Sequence, residues 1–130
     1  MIREEGLGQV FHRHALLAEG VRRGVVGMGL SLLVNGKQAS NSVTAVHVPQ
    51  GVDSKDFLRI ARERHQVILG GGLGKLEGKI FRIGHMGYLN ETEVLAVISV
   101  IEMSMARCGA KVHLGAGVEA CERVFLNEAM

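Results

Sequence analysis

Residues 68–87 read ILGGGLGKLEGKIFRIGHMG, and this stretch decides the fold. A three-residue apolar run, 67–69, leads into a segment, 70–78, in which five of nine residues are glycine. The next run, 79–83, alternates, so Phe81 and Ile83 are predicted to face the core while Ile80 and Arg82 point the other way. We interpret 67–69 and 79–83 as two strands joined by a glycine-rich connection.

Upstream, the chain begins with a helical pattern followed by a short strand. From Leu7 to Val25, apolar residues recur at steps of three and four, which predicts an amphipathic helix ending near Gly27. The apolar run 30–34 is stopped by Asn35 and a glycine, a turn signal, so this run is predicted to be a strand.

A second strand and a second helix precede the glycine loop. The run 42–48 is rich in Val and Thr and is closed by Pro49, which predicts a strand that leaves into a turn. Asp53 occupies an N-cap position and Asp56 suits the positive end of a helix, so a helix is predicted from there to about His65.

Downstream of the loop, two helices complete the chain. Asn90 with Glu93 forms a plausible capping pair for a helix that ends at Gly109. A terminal helix is predicted over 118–128. The order α-β-β-α-β-β-α-α predicts one α+β domain, 1–130, with a small, mostly antiparallel sheet of about four strands covered by helices mainly on one side. The other face of such a sheet must be solvated or covered by another domain.

Composition excludes several classes of function. The 130 residues are 47% hydrophobic and 22% charged with a net charge of +2, which is typical of a soluble globular domain and not of a disordered chain or a nucleic-acid binder. The most apolar stretch, 94–101, is far shorter than the roughly 20 residues of a membrane-spanning helix. We therefore expect a cytoplasmic protein.

Cysteine, histidine and glycine each suggest a site that their spacing argues against. Cys108 and Cys121 have no C-x-x-C spacing, so buried thiols are favoured over a disulfide or a metal site. His12 and His14 point to different faces of a helix, and no metal site is expected. The glycine loop is not expected to bind phosphate, because a strand follows it where a phosphate loop needs a helix.

Three segments, 42–51, 68–74 and 78–87, resemble in order and spacing the C-terminal third of class V pyridoxal-phosphate aminotransferases. That family includes alanine–glyoxylate, serine–glyoxylate and serine–pyruvate aminotransferases, and the cyanobacterial proteins labelled soluble hydrogenase small subunits. The resemblance implies the C-terminal small domain of a fold-type I homodimer, in which a preceding large domain binds the cofactor.

The resemblance assigns one binding residue, Arg82, which falls on the arginine that binds the substrate α-carboxylate. The catalytic lysine of the family has a Ser-x-x-Lys or Gln-Lys context that no lysine here shares, and Asp53 and Asp56 are better interpreted as helix-start residues. We therefore expect no catalytic or cofactor-binding residue in this chain. Pyridoxal phosphate is expected in the full-length enzyme and not on the chain alone.

The expected function is that of a substrate-binding domain of an aminotransferase that moves an amino group between alanine or serine and glyoxylate or pyruvate, with the isolated chain inactive. The alternative is a freestanding binding or regulatory module that recognises small carboxylates without catalysis. In the isolated domain, Arg82 is expected to be accessible and to have no fixed structural partner. His85 is expected to pack or to form a hydrogen bond and not to act as a base.

Overall fold

The computed structural model describes residues 6–34, 43–84 and 90–128. In chain order the elements are α1 (Leu7–Gly27), β1 (Val43–His47), α2 (Ser54–His65), β2 (Gly70–Gly71), a 3-10 turn (Gly74–Leu76), β3 (Ile80–Gly84), α3 (Glu91–Arg107) and α4 (Ala116–Glu128). The predicted α+β class is confirmed, and among the described residues the sheet has three strands in the order β1-β3-β2.

Both strand pairs of the sheet are antiparallel. β3 lies in the centre, and Arg82 is opposite Ala45 on β1 and Gly70 on β2. Thr44, Phe81 and their alternate neighbours point to one face and are buried, as the alternation predicted. The face that carries Arg82 is therefore the face away from the core.

Two of the predicted strands are wrong: one is absent, and the other begins later than predicted. Residues 30–34 form no strand, because only Leu32 makes a bridge, to Val46, while the neighbouring backbone runs along β1 with two hydrogen bonds. The strand predicted at 67–69 begins three residues later, at Gly70. Gln66 explains this shift, since its left-handed conformation (φ 59°) ends α2 and the chain needs residues 67–69 to reach β3.

The helices cover the buried face of the sheet. One core contains side chains from all major elements: Leu17, Val21 and Val25 of α1, Val46 of β1, Phe57 of α2, Phe81 and Ile83 of β3, Ile98 and Ile101 of α3, and Cys121 and Phe125 of α4. The Phe57 and Phe81 rings pack with centroids 4.7 Å apart. Burying each ring contributes roughly 1.5–3 kcal/mol. These contacts orient β3 and hence Arg82.

The predicted capping residues are confirmed, and the structure adds a cap from outside the helix. Asp53 accepts a hydrogen bond from the Lys55 amide, and Asn90 accepts one from the Glu93 amide. The buried Glu102 carboxylate of α3 accepts from the Gly115 amide at 3.0 Å and the Gly117 amide at 2.8 Å. It thus satisfies two amides at the start of α4, which its own sequence leaves without a side-chain cap.

No helix in the described ranges is both long enough and apolar enough to cross a bilayer.

Candidate functional site

Arg82 lies in the middle of the sheet on its open face. Ile80, two residues earlier on the same face, is only 3% exposed because the connection after β2 covers it. Arg82 itself is partly buried, and Gly84 beyond it is exposed. The Arg82 side chain therefore lies on the central strand, at the edge of the area that the loop covers.

The guanidinium of Arg82 contacts β2. Its Nε donates to the Gly71 carbonyl oxygen at 2.9 Å. The expectation that Arg82 has no fixed partner is therefore wrong. The strand pairing explains the contact, because Gly70 lies directly opposite Arg82 and the side chain folds across its neighbour. The expected orientation away from Phe81 and Ile83 is confirmed.

Among the residues that the structure describes, no carboxylate pairs with the charge of Arg82. In the ranges that the structure describes, the arginine ion pairs with aspartate or glutamate involve the helical arginines Arg22, Arg23, Arg59, Arg62 and Arg123. Arg82 has only the neutral Gly71 carbonyl at Nε. A guanidinium offers five donors. Its terminal nitrogens therefore suit a carboxylate from outside the domain.

The glycine loop is a compact turn and not a phosphate cradle. The Leu76 amide donates to the Leu73 carbonyl and the Lys79 amide donates to the Leu76 carbonyl, so the chain reverses directly into β3. A Cβ at Gly72 would overlap the Leu76 carbonyl, which only glycine avoids here. A three-residue 3-10 turn, not an α-helix, follows the loop, which agrees with the prediction against nucleotide binding.

A groove of about 640 Å³ lies elsewhere, between α1 and α4, and includes Leu16, Arg23, Arg123 and Val124 in its lining. It is a poor carboxylate site, because Arg23 and Arg123 already pair with Glu19 and Glu119, each at 2.8 Å. Partial burial pushes the pKa of Glu19 up, but hydrogen bonds from Arg23 and Arg22 outweigh it and the pKa is lowered. That carboxylate stays ionised and keeps its arginines.

The two cysteines are free thiols, and the pKa of each is raised. Burial raises the pKa of Cys121 to about 12, and its thiol donates to the Gly20 carbonyl at 2.8 Å. Burial is also the largest cause that raises the pKa of Cys108, followed by the charges of Asp56 and Asp53. The prediction of a buried thiol is confirmed for Cys121, whereas Cys108 is free but only partly buried. In the described part of the chain, no cluster of three metal-ligating side chains occurs.

The sequence predicts Arg82 as a binding residue but does not identify the residues that contact it. It places Gly70 and Gly71 in a loop, because the apolar run predicts the strand at 67–69. Only the alignment of β2 with β3 brings their backbone to the guanidinium. The prediction for His85 lies outside the described residues, and so does the end of the motif at Gly87.

Comparisons with known proteins agree with the fold described above. No protein-family profile matches the chain. The serine–glyoxylate aminotransferase of Methylorubrum extorquens is 44% identical over 126 residues, which are 96% of this chain and 31% of that protein. The chain therefore spans about a third of the length of the relatives that it matches.

Two solved structures share the fold. The ureidoglycine–glyoxylate aminotransferase of Bacillus subtilis matches with a TM-score of 0.92 and 31% identity, over 97% of this chain and 33% of that one. The pyridoxamine–pyruvate aminotransferase of Mesorhizobium loti matches with a TM-score of 0.91 and 38% identity, over 97% and 33%.

Proposed function

Because the chain belongs to the class V aminotransferases, as the counterpart of their C-terminal third, we propose that it is the substrate-binding small domain of such an enzyme. The proposed reaction moves an amino group between a small amino acid, alanine or serine, and glyoxylate or pyruvate. Arg82 binds the substrate carboxylate. The isolated chain has no transaminase activity.

One observation carries the role of Arg82: it is an arginine on the open face of the sheet that has no carboxylate partner among the described residues. A structural arginine at such a place would be expected to pair with a neighbouring carboxylate, as five of the helical arginines do. A carboxylate accepts two parallel N–H donors from a guanidinium, so a substrate bound there is fixed in orientation as well as position.

The names of the relatives support one substrate carboxylate over another as the partner of Arg82. Their amino donors differ and include serine, ureidoglycine and pyridoxamine. Their acceptors are glyoxylate or pyruvate, in each of which a carboxylate adjoins the reacting carbonyl. Because pyridoxamine carries no carboxylate, the constant partner for Arg82 is the carboxylate of the oxo acid. The amino acid donors would use the same site in the other half of the reaction.

The cofactor belongs to a part of the protein that precedes this domain. The lysines in the described ranges are all exposed, and the partner of Arg82 is the Gly71 carbonyl instead of a lysine-bearing segment. These lysines are Lys55, Lys75, Lys79 and Lys111. These residues do not fit a buried imine site for pyridoxal phosphate. In a complete enzyme the cofactor would supply the electron sink from the large domain, while Arg82 positions the substrate toward it.

The open side of the sheet is suited to that large domain. Val43 lies exposed on the Arg82 face, and Ile68 and Leu73, on either side of β2, are 84% and 73% exposed. Apolar side chains around a binding residue are expected to be covered in the working protein. A large domain seated here would also exclude water from Arg82 and strengthen its bond to a carboxylate.

A domain exchange tests the proposal. This chain replaces the corresponding C-terminal third of the Methylorubrum extorquens serine–glyoxylate aminotransferase, and kcat/KM is measured with glyoxylate. We expect an active hybrid. Arg82→Gln should lower kcat/KM by about 10- to 150-fold, since a charge-assisted hydrogen bond contributes roughly 1.5–3 kcal/mol. Arg59→Gln is the matched control, because Arg59 is exposed and pairs only with Asp56.

Three outcomes would contradict the proposal. An equal effect of both substitutions would show that Arg82 has no special role. A stoichiometric, borohydride-reducible imine at one lysine of the isolated chain with pyridoxal phosphate would show that the chain carries its own cofactor site. A folded but inactive hybrid would favour the alternative of a freestanding module that recognises small carboxylates without catalysis.

A further inference from the structure

We infer that Gly70 and Gly71 are positioning residues for Arg82, and that they leave its two terminal Nη groups to receive the carboxylate. The Gly71 carbonyl holds Nε, and the bare backbone of Gly70 supports the guanidinium. The inference rests on the proposed function, because it specifies which nitrogen atoms of Arg82 contact the substrate carboxylate.

The bond from Nε to the Gly71 carbonyl fixes which donors remain. An arginine can receive a carboxylate side-on, through Nε and one Nη, or end-on, through both Nη groups. In this structure Nε already donates to the Gly71 oxygen at 2.9 Å. A substrate carboxylate therefore meets Nη1 and Nη2, and its plane continues the plane of the guanidinium.

Gly70 keeps the guanidinium in this position because it has no side chain. A Cβ at Gly70 would lie 3.0 Å from Nη2, 3.1 Å from Nε and 3.2 Å from Cζ of Arg82. These contacts are tighter than ordinary packing, so even a methyl group would displace the guanidinium by a few tenths of an ångström. Gly70 lies in the strand without a left-handed backbone, so its backbone conformation alone does not require glycine. The close approach of Arg82 explains the glycine.

Gly71 provides a matched comparison on the same strand. Its Cβ would point to the other face, where the nearest atom is Leu58 Cδ1 at an ordinary 3.4 Å. Gly71→Ala therefore adds the same methyl group, keeps the carbonyl and leaves the guanidinium untouched. Gly70→Ala adds it against Arg82.

The test uses arginine side-chain NMR of the ¹⁵N-labelled 130-residue chain, with sodium acetate as the probe. In the unsubstituted chain we expect acetate to shift the Arg82 Nη signals and to leave the Nε signal nearly unchanged. Gly70→Ala should speed exchange of the Nε proton with water by at least about threefold and weaken acetate binding by about three- to tenfold. Gly8→Ala adds the same methyl group where nothing lies within 4 Å, so it should leave the Nε exchange rate within about twofold.

Each alternative result would overturn a specific part of the inference. Acetate that shifts Nε more than Nη would overturn the end-on geometry, and this arm needs no substitution. Equal Nε exchange in Gly70→Ala and the unsubstituted chain would overturn the role of Gly70 while the carboxylate site stands. If acetate moves no Arg82 signal but Gly70→Ala still speeds exchange, the inference that the held guanidinium receives a carboxylate through its Nη groups fails, while the domain exchange decides the proposed function separately.

Discussion

Two groups of glycines lie in close contacts at opposite parts of the molecule, and they differ in what they touch. At the contact of α1 with α4, a Cβ on Gly117 would lie 2.8 Å from the Gly24 carbonyl oxygen and 2.8 Å from Glu102 Oε2. On the sheet, the three atoms nearest to a Cβ on Gly70 would all belong to the guanidinium of a partly buried arginine. Backbone in a packed core cannot move away, whereas the end of an arginine can.

Substituting a glycine should therefore have different consequences at the two places. The helix contact includes three glycines of α1 at helical spacing, Gly20, Gly24 and Gly27, whose missing side chains let α4 approach closely. Substitution there should reduce stability. Substitution of Gly70 should spare the fold and change the position of the side chain that binds. The following predictions test this difference.

The largest effect on stability is expected for Gly117→Ala. The added methyl would overlap the Gly24 carbonyl, the Glu102 carboxylate and Met28 Cε, so overpacking should lower the free energy of unfolding by about 3 kcal/mol. Gly8→Ala is the matched control, because a Cβ there meets nothing within 4 Å in the same helical conformation. It should raise stability by about 0.5–1 kcal/mol. Urea unfolding of both variants measures the difference, and a Gly117→Ala chain as stable as the control would show that the helix contact is loose.

The next effect concerns the Glu102 carboxylate, which caps α4 from a buried position. Glu102→Gln replaces one acceptor oxygen by an amino group that faces a backbone amide, so unfolding free energy should fall by about 2 kcal/mol. Glu122→Gln, exposed on α4, should change it by less than about 0.5 kcal/mol. Equal midpoints in thermal melting for the two variants would mean that water replaces the cap.

A smaller, local effect separates the two thiols. Cys121 is fully buried with a pKa of about 12, whereas Cys108 is only partly buried. Iodoacetamide at pH 8 should alkylate Cys108 at least about tenfold faster than Cys121. Mass mapping of the peptides over time measures both rates, and Cys121→Ser removes the slow phase as a control. Faster labelling of Cys121 would show that α4 detaches from α1 without global unfolding.

The raised pKa of Cys121 also sets the sign of a pH effect. Its folded-state pKa of about 12 lies above the ordinary thiol value of about 8.5, so the folded chain holds this proton more tightly. The resulting contribution to stability is fully present below about pH 8.5 and is lost as the pH rises toward about 12.

The smallest effect on stability is expected for Arg82→Ala. The substitution removes the bond to the Gly71 carbonyl on a partly exposed face, so unfolding free energy should fall by no more than about 1 kcal/mol. The variant should stay folded but should no longer bind a carboxylate. Thermal melting together with acetate titration checks this, and a loss of stability as large as that of Gly117→Ala would make Arg82 a structural residue.

Much of the local structure could be predicted because its causes are local. Asp53 and Asn90 cap helices through amides two and three residues away, and the alternation around Phe81 places Arg82 opposite the core. The motif in 78–87 pointed to the family, and the matches to aminotransferases over 96% of the chain support it. These features need no knowledge of distant residues.

By itself the sequence determined the α+β class, the helix ends and the face on which Arg82 lies, because helical and strand periodicities are set by neighbours along the chain. The tertiary structure decided the two-residue strand at Gly70, the cap that Glu102 provides from another helix, and the bond from Arg82 to Gly71. Each of these depends on groups brought together from residues at least 11 positions apart in the sequence. No local pattern specifies such distances, since they follow from how the strands align and how closely the helices pack.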